Sequence, residues 1–430
     1  MLYYILKPFV KLSIRLYFKR IKIEGLENIP KNQPVVLAPN HPGAFLDPIL
    51  LGTVIPRVFH ILARGESFQS KLKALLFKSM KMIPVYRPDK SPDKMIKNKS
   101  VFRKCHEILG EGKNIMIFPE GLSKTEHRLR KIKTGAARMV LGYQESEYRN
   151  KNAVIVPIAI NYDNPHLFQS KVYIKFGEPI NVSKYEAVSE NDRVRLLTEE
   201  LKDSLLMNLK LIEDESHDEL VEDIEKYYLN EYSYYRNAST NTKKVQVFNR
   251  TVDGVQEMKR KFPSFYDNMK KQLTEYTEDL KQCKINDKQI KVLNRVNWAF
   301  LLRLILLTPF AMLGVITHIV PYKLVHVIAE NFSENNSFRG ALKVSLGMLM
   351  FAITNLIWVS LFYAQFHSIP LSILMFFILP IVGIITFYWS RNLGLLMKWI
   401  SIKYFKKEDY IRLQRRRVQL IYSIENYFES

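Results

Sequence analysis

The chain has 430 residues, enough for a catalytic core and a second region. Its 64 basic residues outnumber 42 acids, and the resulting +22 implies an anionic partner: nucleic acid, a membrane surface or a phosphorylated substrate. Long apolar blocks near the C-terminus argue against nucleic acid, and two isolated cysteines, Cys105 and Cys283, support neither a zinc site nor a disulfide framework, so the cytosolic face is the default.

Residues 1–24 contain no acid before Glu24, and Lys7, Lys11, Arg15 and Lys19 recur every fourth position among apolar residues such as Leu6, Phe9, Val10 and Leu12. This pattern predicts an amphipathic helix lying in the headgroup layer, its lysines reaching anionic lipid. A cleaved signal peptide is disfavoured by the charges within the apolar run, and a buried core helix is the competing reading.

From about residue 33 to 180, short apolar runs alternate with helical stretches. The strand candidates are "PVVLAPN", "VFHILAR", "MIPVYR", "NIMIFPE", "AVIVPIAIN" and "KVYIKFG". Between them lie the helical "SFQSKLKALLFKSM", "MIKNKSVFRKCHEILG" and "TGAARMVLGYQE". Such alternation predicts an α/β sheet covered by helices on both faces. Residues 216–297 are charged, and Phe265, Met269, Leu273, Tyr276 and Leu280 recur at helical spacing, which predicts amphipathic helices.

Three apolar blocks follow, 298–320, 344–366 and 370–389, each long enough to cross a bilayer. The last two are joined by the short turn "AQFHSIP" and flanked by Arg339, Lys343 and Arg391, which fits a hairpin with both ends in the cytoplasm. The first contains Arg303, Pro309 and Gly314, marks of a re-entrant or interfacial segment, so two or three segments are expected to span. Residues 390–430 read as a basic cytoplasmic tail.

The residues able to do chemistry follow a set order. His41 and Asp47 stand in "PVVLAPNHPGAFLDP", Arg87 ends "IPVYR", and Glu120 and Gly121 end "IMIFPEG". Basic residues crowd in behind: Lys124, Arg128, Arg130, Lys131, Lys133 and Arg138. What they share is position at the carboxyl ends of strands, where open α/β sheets place their ligand crevice. Each piece alone reads equally well as a strand end, a turn or a solvated charged face; the ordered set is what carries weight.

That ordered set resembles the glycerol-3-phosphate and 1-acylglycerol-3-phosphate acyltransferases, a family of membrane-associated glycerolipid enzymes. Their first motif, a histidine followed by four residues and an aspartate, is similar to "NHPGAFLD"; their second ends in an arginine, as Arg87 does. Their third, Phe-Pro-Glu-Gly, stands intact at Phe118–Gly121 with "KTGAA" behind it, and their fourth is a proline-containing strand like "VIVPIA" around Pro157. The likeness covers roughly residues 25–215. It implies an α/β acyltransferase domain, a mixed sheet flanked by helices, with Glu120 and Gly121 helping to shape the acceptor site. Two departures stand out. The histidine–aspartate spacing is one residue longer than the family's, a difference Gly43 is expected to absorb in a turn, and "FPEGLSK" lacks the family's usual Thr-Arg-Ser.

The chemistry agrees with the resemblance. Acyl transfer from a thioester to an alcohol needs a base for the hydroxyl proton, a role expected of His41 with Asp47 fixing its tautomer. Arg87 and Lys133, with Lys124, are expected to neutralise an acceptor phosphate. No metal or cofactor is required; an acyl-CoA or acyl-carrier-protein thioester serves as co-substrate. The leading expectation is an integral membrane O-acyltransferase whose catalytic domain faces the cytoplasm and acylates glycerol-3-phosphate. Its rivals are acylation of the 1-acyl derivative, O-acylation of a lyso-aminolipid, and an inactive scaffold that binds anionic lipid.

Overall fold

The structure, a computed structural model, describes residues 2–68, 70–86, 93, 96–229, 241–293, 296–331 and 338–429. Its residues group into two units: Met1–Glu213 with Ser239–Val245 and Ala329–Met348, and Asp214–Ala238 with Gln246–Ile328 and Leu349–Ser430.

In the first unit, α1 (Leu2–Tyr17) runs directly into strand β1 (Phe18–Glu24). The helix expected over 1–24 therefore stops at Tyr17. Beyond it Ile21 and Ile23 alternate with Lys22 and Glu24, a two-residue period that suits a sheet edge and no helix. Next come β2 (Val35–Pro39), α2 (Leu46–Val54), β3 (Phe59–Arg64), α3 (Lys71–Ser79), β4 (Met82–Val85) and α4 (Lys97–Gly110). The unit continues with β5 (Asn114–Met116), α5 (Gly135–Gln144), β6 (Val154–Tyr162), β7 (Ser170–Phe176), β8 (Ile180–Asn181) and α6 (Glu190–Leu206).

These strands form one mixed sheet in the order β1-β7-β6-β2-β5-β3-β4, with β8 also on β6. Strands β7 and β8 run antiparallel to β6, and the other pairs are parallel. All six strands foreseen from the apolar runs are present; β1, β8 and α2 come in addition. Pro157 lies inside β6, a position a proline seldom holds because it donates no ladder bond. Here the register leaves it between the β8 pairing at Val154 and Ile155 and the β7 pairing from Ile158 onward, where its carbonyl accepts from Gly177 N–H at 2.8 Å.

Alternation along the strands divides the core into two layers. Val35, Leu37, Val156 and Ile160 pack with Ile14 and Tyr17 of α1 and Leu46, Leu50 and Leu51 of α2. Val36, Ala38, Ile155 and Ala159 pack with Leu109, Val140 and Leu201 of α4, α5 and α6. Helix α1 is thus a core helix on one face. Its opposite face leaves Ile5, Phe9, Leu12 and Leu16 exposed beside Lys11 and Arg15. The α1–α2 layer also takes in Ala341 and Val344, from the first turns of the apolar helix Arg339–Phe366. Lys343 there donates to the His166 carbonyl at 3.1 Å and pairs with Glu330 at 2.9 Å.

The second unit is helical throughout its described residues. Helices Pro263–Gln282 and Asp287–Leu293 pack against Lys407–Glu429, joined by the buried Asp287–Arg417 pair at 2.7 Å and the Tyr276 hydroxyl on the same carboxylate at 2.5 Å. Part of the stretch expected to be a basic tail is therefore a packed helix. Among the described residues, three helices are long and apolar enough to cross a membrane: Trp298–Asn331, Arg339–Phe366 and Ile369–Phe405. The first of these is unbroken through Pro309 and Gly314. It is tied to the third by Trp389 Nε1, which donates to the Leu304 carbonyl and the Thr308 hydroxyl, each at 3.2 Å.

Candidate active site

Three neighbouring strands, β6, β2 and β5, deliver their carboxyl ends to one place, and His41 stands at its centre. Asn40, directly after β2, extends the ladder with its side chain: its amide donates to Ile160 O at 3.1 Å and accepts from Ile160 N–H at 2.7 Å. His41 is thereby held at a fixed height above the sheet.

The His41 ring is fixed on both sides. Nδ1 lies 2.8 Å from Asp47 Oδ2, and the ring stacks on Phe118 with centroids 3.8 Å apart and planes 22° from parallel. Asp47 is fully buried, and its Oδ2 also accepts from Gly43 N–H at 2.9 Å while Oδ1 accepts from the Tyr162 hydroxyl at 2.8 Å. A carboxylate that receives three donors keeps Nδ1 as the protonated nitrogen and leaves the Nε2 lone pair available to take a proton. Burial, and then the Asp47 charge, push the Tyr162 hydroxyl well above its ordinary pKa, so it stays a donor.

The longer His–Asp spacing closes in a way the sequence did not foresee. Ala44, at φ 48°, and not Gly43, takes the left-handed turn. Gly43 answers a demand for space: a Cβ there would stand 2.5 Å from Asp47 Oδ1.

Glu120 faces His41 from the end of β5. Its Oε1 accepts His41 N–H at 2.7 Å and its Oε2 accepts Arg130 N–H at 3.2 Å. Burial raises its pKa, opposed by those two backbone hydrogen bonds. Glu120 therefore acts as a brace between the His41 turn and the basic loop. Gly121 turns with φ 69°, and the Lys133 amine lies over it, 3.0 Å from where a Cβ would stand. The Lys133 backbone N–H also donates to Pro119 O at 2.8 Å.

The basic loop is tied down by residues that did not stand out in the sequence. Ser123 Oγ accepts from Ala44 N–H and Thr125 Oγ1 donates to Pro42 O, both at 2.8 Å. Glu126 pairs with Lys124 at 3.0 Å, with Arg130 at 2.8 Å and with Arg128 at 3.6 Å. The cationic surplus counted from Lys124 to Arg138 is therefore smaller than the sequence implies. His41, Asp47, Glu120, Gly121 and Lys133 are brought together; Lys124 is exposed and turned toward Glu126. Arg87 lies outside the described residues. Tyr162, Ser123, Thr125 and Glu126 escaped sequence reasoning, and the one available signal was a tyrosine closing the strand that contains Pro157.

A buried carboxylate, an oriented imidazole and a basic loop at the carboxyl ends of parallel strands define an acyltransferase-type site, and comparison with known proteins agrees. The Acyltransferase family profile matches residues 20–161. The chain is 32% identical over 139 residues to glycerol-3-phosphate O-acyltransferase 1 of Saccharomyces cerevisiae, covering 31% of this chain and 18% of that protein. It is 28% identical over 187 residues to the 1-acyl-sn-glycerol-3-phosphate acyltransferase of Bacillus subtilis, covering 42% of this chain and 84% of that one. The crystal structure of the 1-acyl-sn-glycerophosphate acyltransferase of Thermotoga maritima superposes with a TM-score of 0.34 at 18% identity, over 47% of this chain and 79% of that one. Residues 20–161 therefore carry an Acyltransferase domain similar to those of the glycerol-3-phosphate and 1-acylglycerol-3-phosphate acyltransferases.

Proposed function

We propose that the chain transfers a fatty acyl group from a thioester, acyl-CoA or acyl-carrier protein, to a hydroxyl of glycerol-3-phosphate. The observation that carries this reading is the His41–Asp47 contact at 2.8 Å, with Nε2 left to act beside a loop of cations. His41 takes the proton of the acceptor hydroxyl as its oxygen attacks the thioester carbonyl; the thiolate leaves and takes up a proton. Lys133, over the Gly121 turn, pairs with the phosphate, and neither a metal nor a further cofactor enters. The B. subtilis relative, matched over most of its length, is named for the 1-acyl acceptor, and that acceptor is the second reading.

Purified full-length protein with labelled acyl donor and a panel of acceptors tests this, with product masses as the readout. Glycerol-3-phosphate is expected to be used. Lys133→Ala should raise its KM by about tenfold, the size of one charge-assisted hydrogen bond, with the KM for the donor little changed. Product from 1-acylglycerol-3-phosphate alone would move the reaction to the second acylation. Product from a phosphate-free acceptor, insensitive to Lys133→Ala, would remove phosphate recognition altogether.

We also propose that two apolar helices cross the membrane, with the catalytic unit on the cytoplasmic side. This reading is supported by the buried Asp287–Arg417 pair, which joins a helix that precedes the first apolar helix to one that follows the third and so favours an even number of crossings. The hairpin of Arg339–Phe366 and Ile369–Phe405 provides two. A single cysteine at His367 or Ser368 should react with an impermeant reagent on intact cells, and one at Arg391 should be protected; labelling at Arg391 from outside would refute the hairpin.

A further inference from the structure

The segment from Glu120 to Lys133 carries two carboxylates with different surroundings. Among the described residues, the Glu120 carboxylate accepts from backbone N–H groups, those of His41 and Arg130. Glu126, with 8% of its side chain exposed, is paired among the described residues with cationic side chains: Lys124 Nζ at 3.0 Å, Arg130 Nε at 2.8 Å and Arg128 Nε at 3.6 Å. On both arginines the carboxylate meets Nε, so the guanidinium is held by its stem side. The three cations come from alternate or nearby positions of one irregular loop, where like charges repel unless an anion gathers them.

We propose that Glu126 is a positioning residue that holds Lys124, Arg128 and Arg130 as one cluster aimed at the phosphate of the acceptor. This role presupposes a phosphate-bearing acceptor, as proposed above. Three cations gathered on one carboxylate give this part of the loop a net positive character suited to a phosphate monoester. The cluster is also set in register with the dyad, because Arg130 contributes its side chain to Glu126 and its backbone N–H to Glu120, whose other oxygen holds His41 N–H. One residue thus links the place of the phosphate to the place of the base. Against the upward push of burial, hydrogen bonds from Lys124 and Arg130 hold the Glu126 pKa below its ordinary value, so the clamp stays charged at neutral pH.

The test uses full-length protein in detergent. Glu126→Gln keeps the shape and removes the charge, and it should raise the KM for glycerol-3-phosphate about tenfold, with the inhibition constant of inorganic phosphate rising in parallel. The effect should fall on KM and far less on kcat, a split that general loosening of the fold would not produce. Glu126→Asp, which restores the charge on a shorter arm, should recover part of the affinity. Arg130→Lys keeps the cation but lacks the Nε donor, and should reproduce the KM rise even if Glu126→Gln folds poorly. An unchanged KM and phosphate inhibition in both Glu126→Gln and Arg130→Lys would overturn the positioning role, and a lowered KM in Glu126→Gln would make Glu126 a competitor of the phosphate instead. Failure of the underlying function looks different: wild-type protein would then use phosphate-free acceptors equally well and be indifferent to inorganic phosphate.

Discussion

His41→Ala should lower acyl transfer by about 10²–10⁴-fold while expression and membrane association persist. The imidazole contributes little to the core: its side chain is 16% exposed, and its fixed contacts are Asp47 and the Phe118 ring. Its backbone N–H, which holds Glu120, survives the substitution. The loss should therefore appear in kcat, with the thermal midpoint nearly unchanged. Initial rates with saturating donor and acceptor, compared with a melting curve of the same preparation, separate the two. Retention of more than roughly a tenth of the wild-type rate would be too much for removal of a general base and would place the base elsewhere.

Asp47→Asn should be almost as damaging to the rate and, unlike His41→Ala, should also cost stability. Asp47 accepts from His41 Nδ1, Gly43 N–H and the Tyr162 hydroxyl. An asparagine brings an NH₂ group into a fully buried site where every neighbour is a donor, so one facing pair is left unsatisfied, at about 1–3 kcal/mol. The imidazole also loses the partner that fixes its Nδ1–H tautomer. A fall in rate of about 100-fold with a lowered melting temperature is expected. Tyr162→Phe provides the control, because it removes one donor and leaves the Asp47–His41 contact in place; its loss should be several-fold only. Equal effects of Asp47→Asn and Tyr162→Phe would mean that the carboxylate serves packing and not the base.

Much of this was legible in the sequence because periodicity and order are local properties. Six apolar runs of strand length gave six strands, and the motifs that follow two of them, β2 and β5, contain His41, Asp47 and Glu120. Strand β1 was hidden because basic residues at every fourth position also fit a helix through Lys19, and the switch from a period near four to a period of two spans only a few residues. The support for the site was less legible. Tyr162 lies 115 positions from Asp47 and Ser123 79 positions from Ala44, so nothing local announces either contact. Glu126 was overlooked for a simpler reason: a single acid among six cations reads as noise until geometry shows that three of them point at it.

The first turns of Arg339–Phe366 have a consequence for how the molecule can be divided. Ala341 and Val344 fill the same layer of core as Leu46 and Leu50, the helix that carries Asp47. A border drawn where similarity to relatives ends, or just before the first apolar helix at Trp298, would cut through one hydrophobic core and strip a wall from beneath the aspartate. The segment that looks like an anchor is, at its root, an organ of the enzyme: membrane attachment and the integrity of the reacting centre are inherited together, and shuffling one without the other leaves an apolar wound beside Asp47.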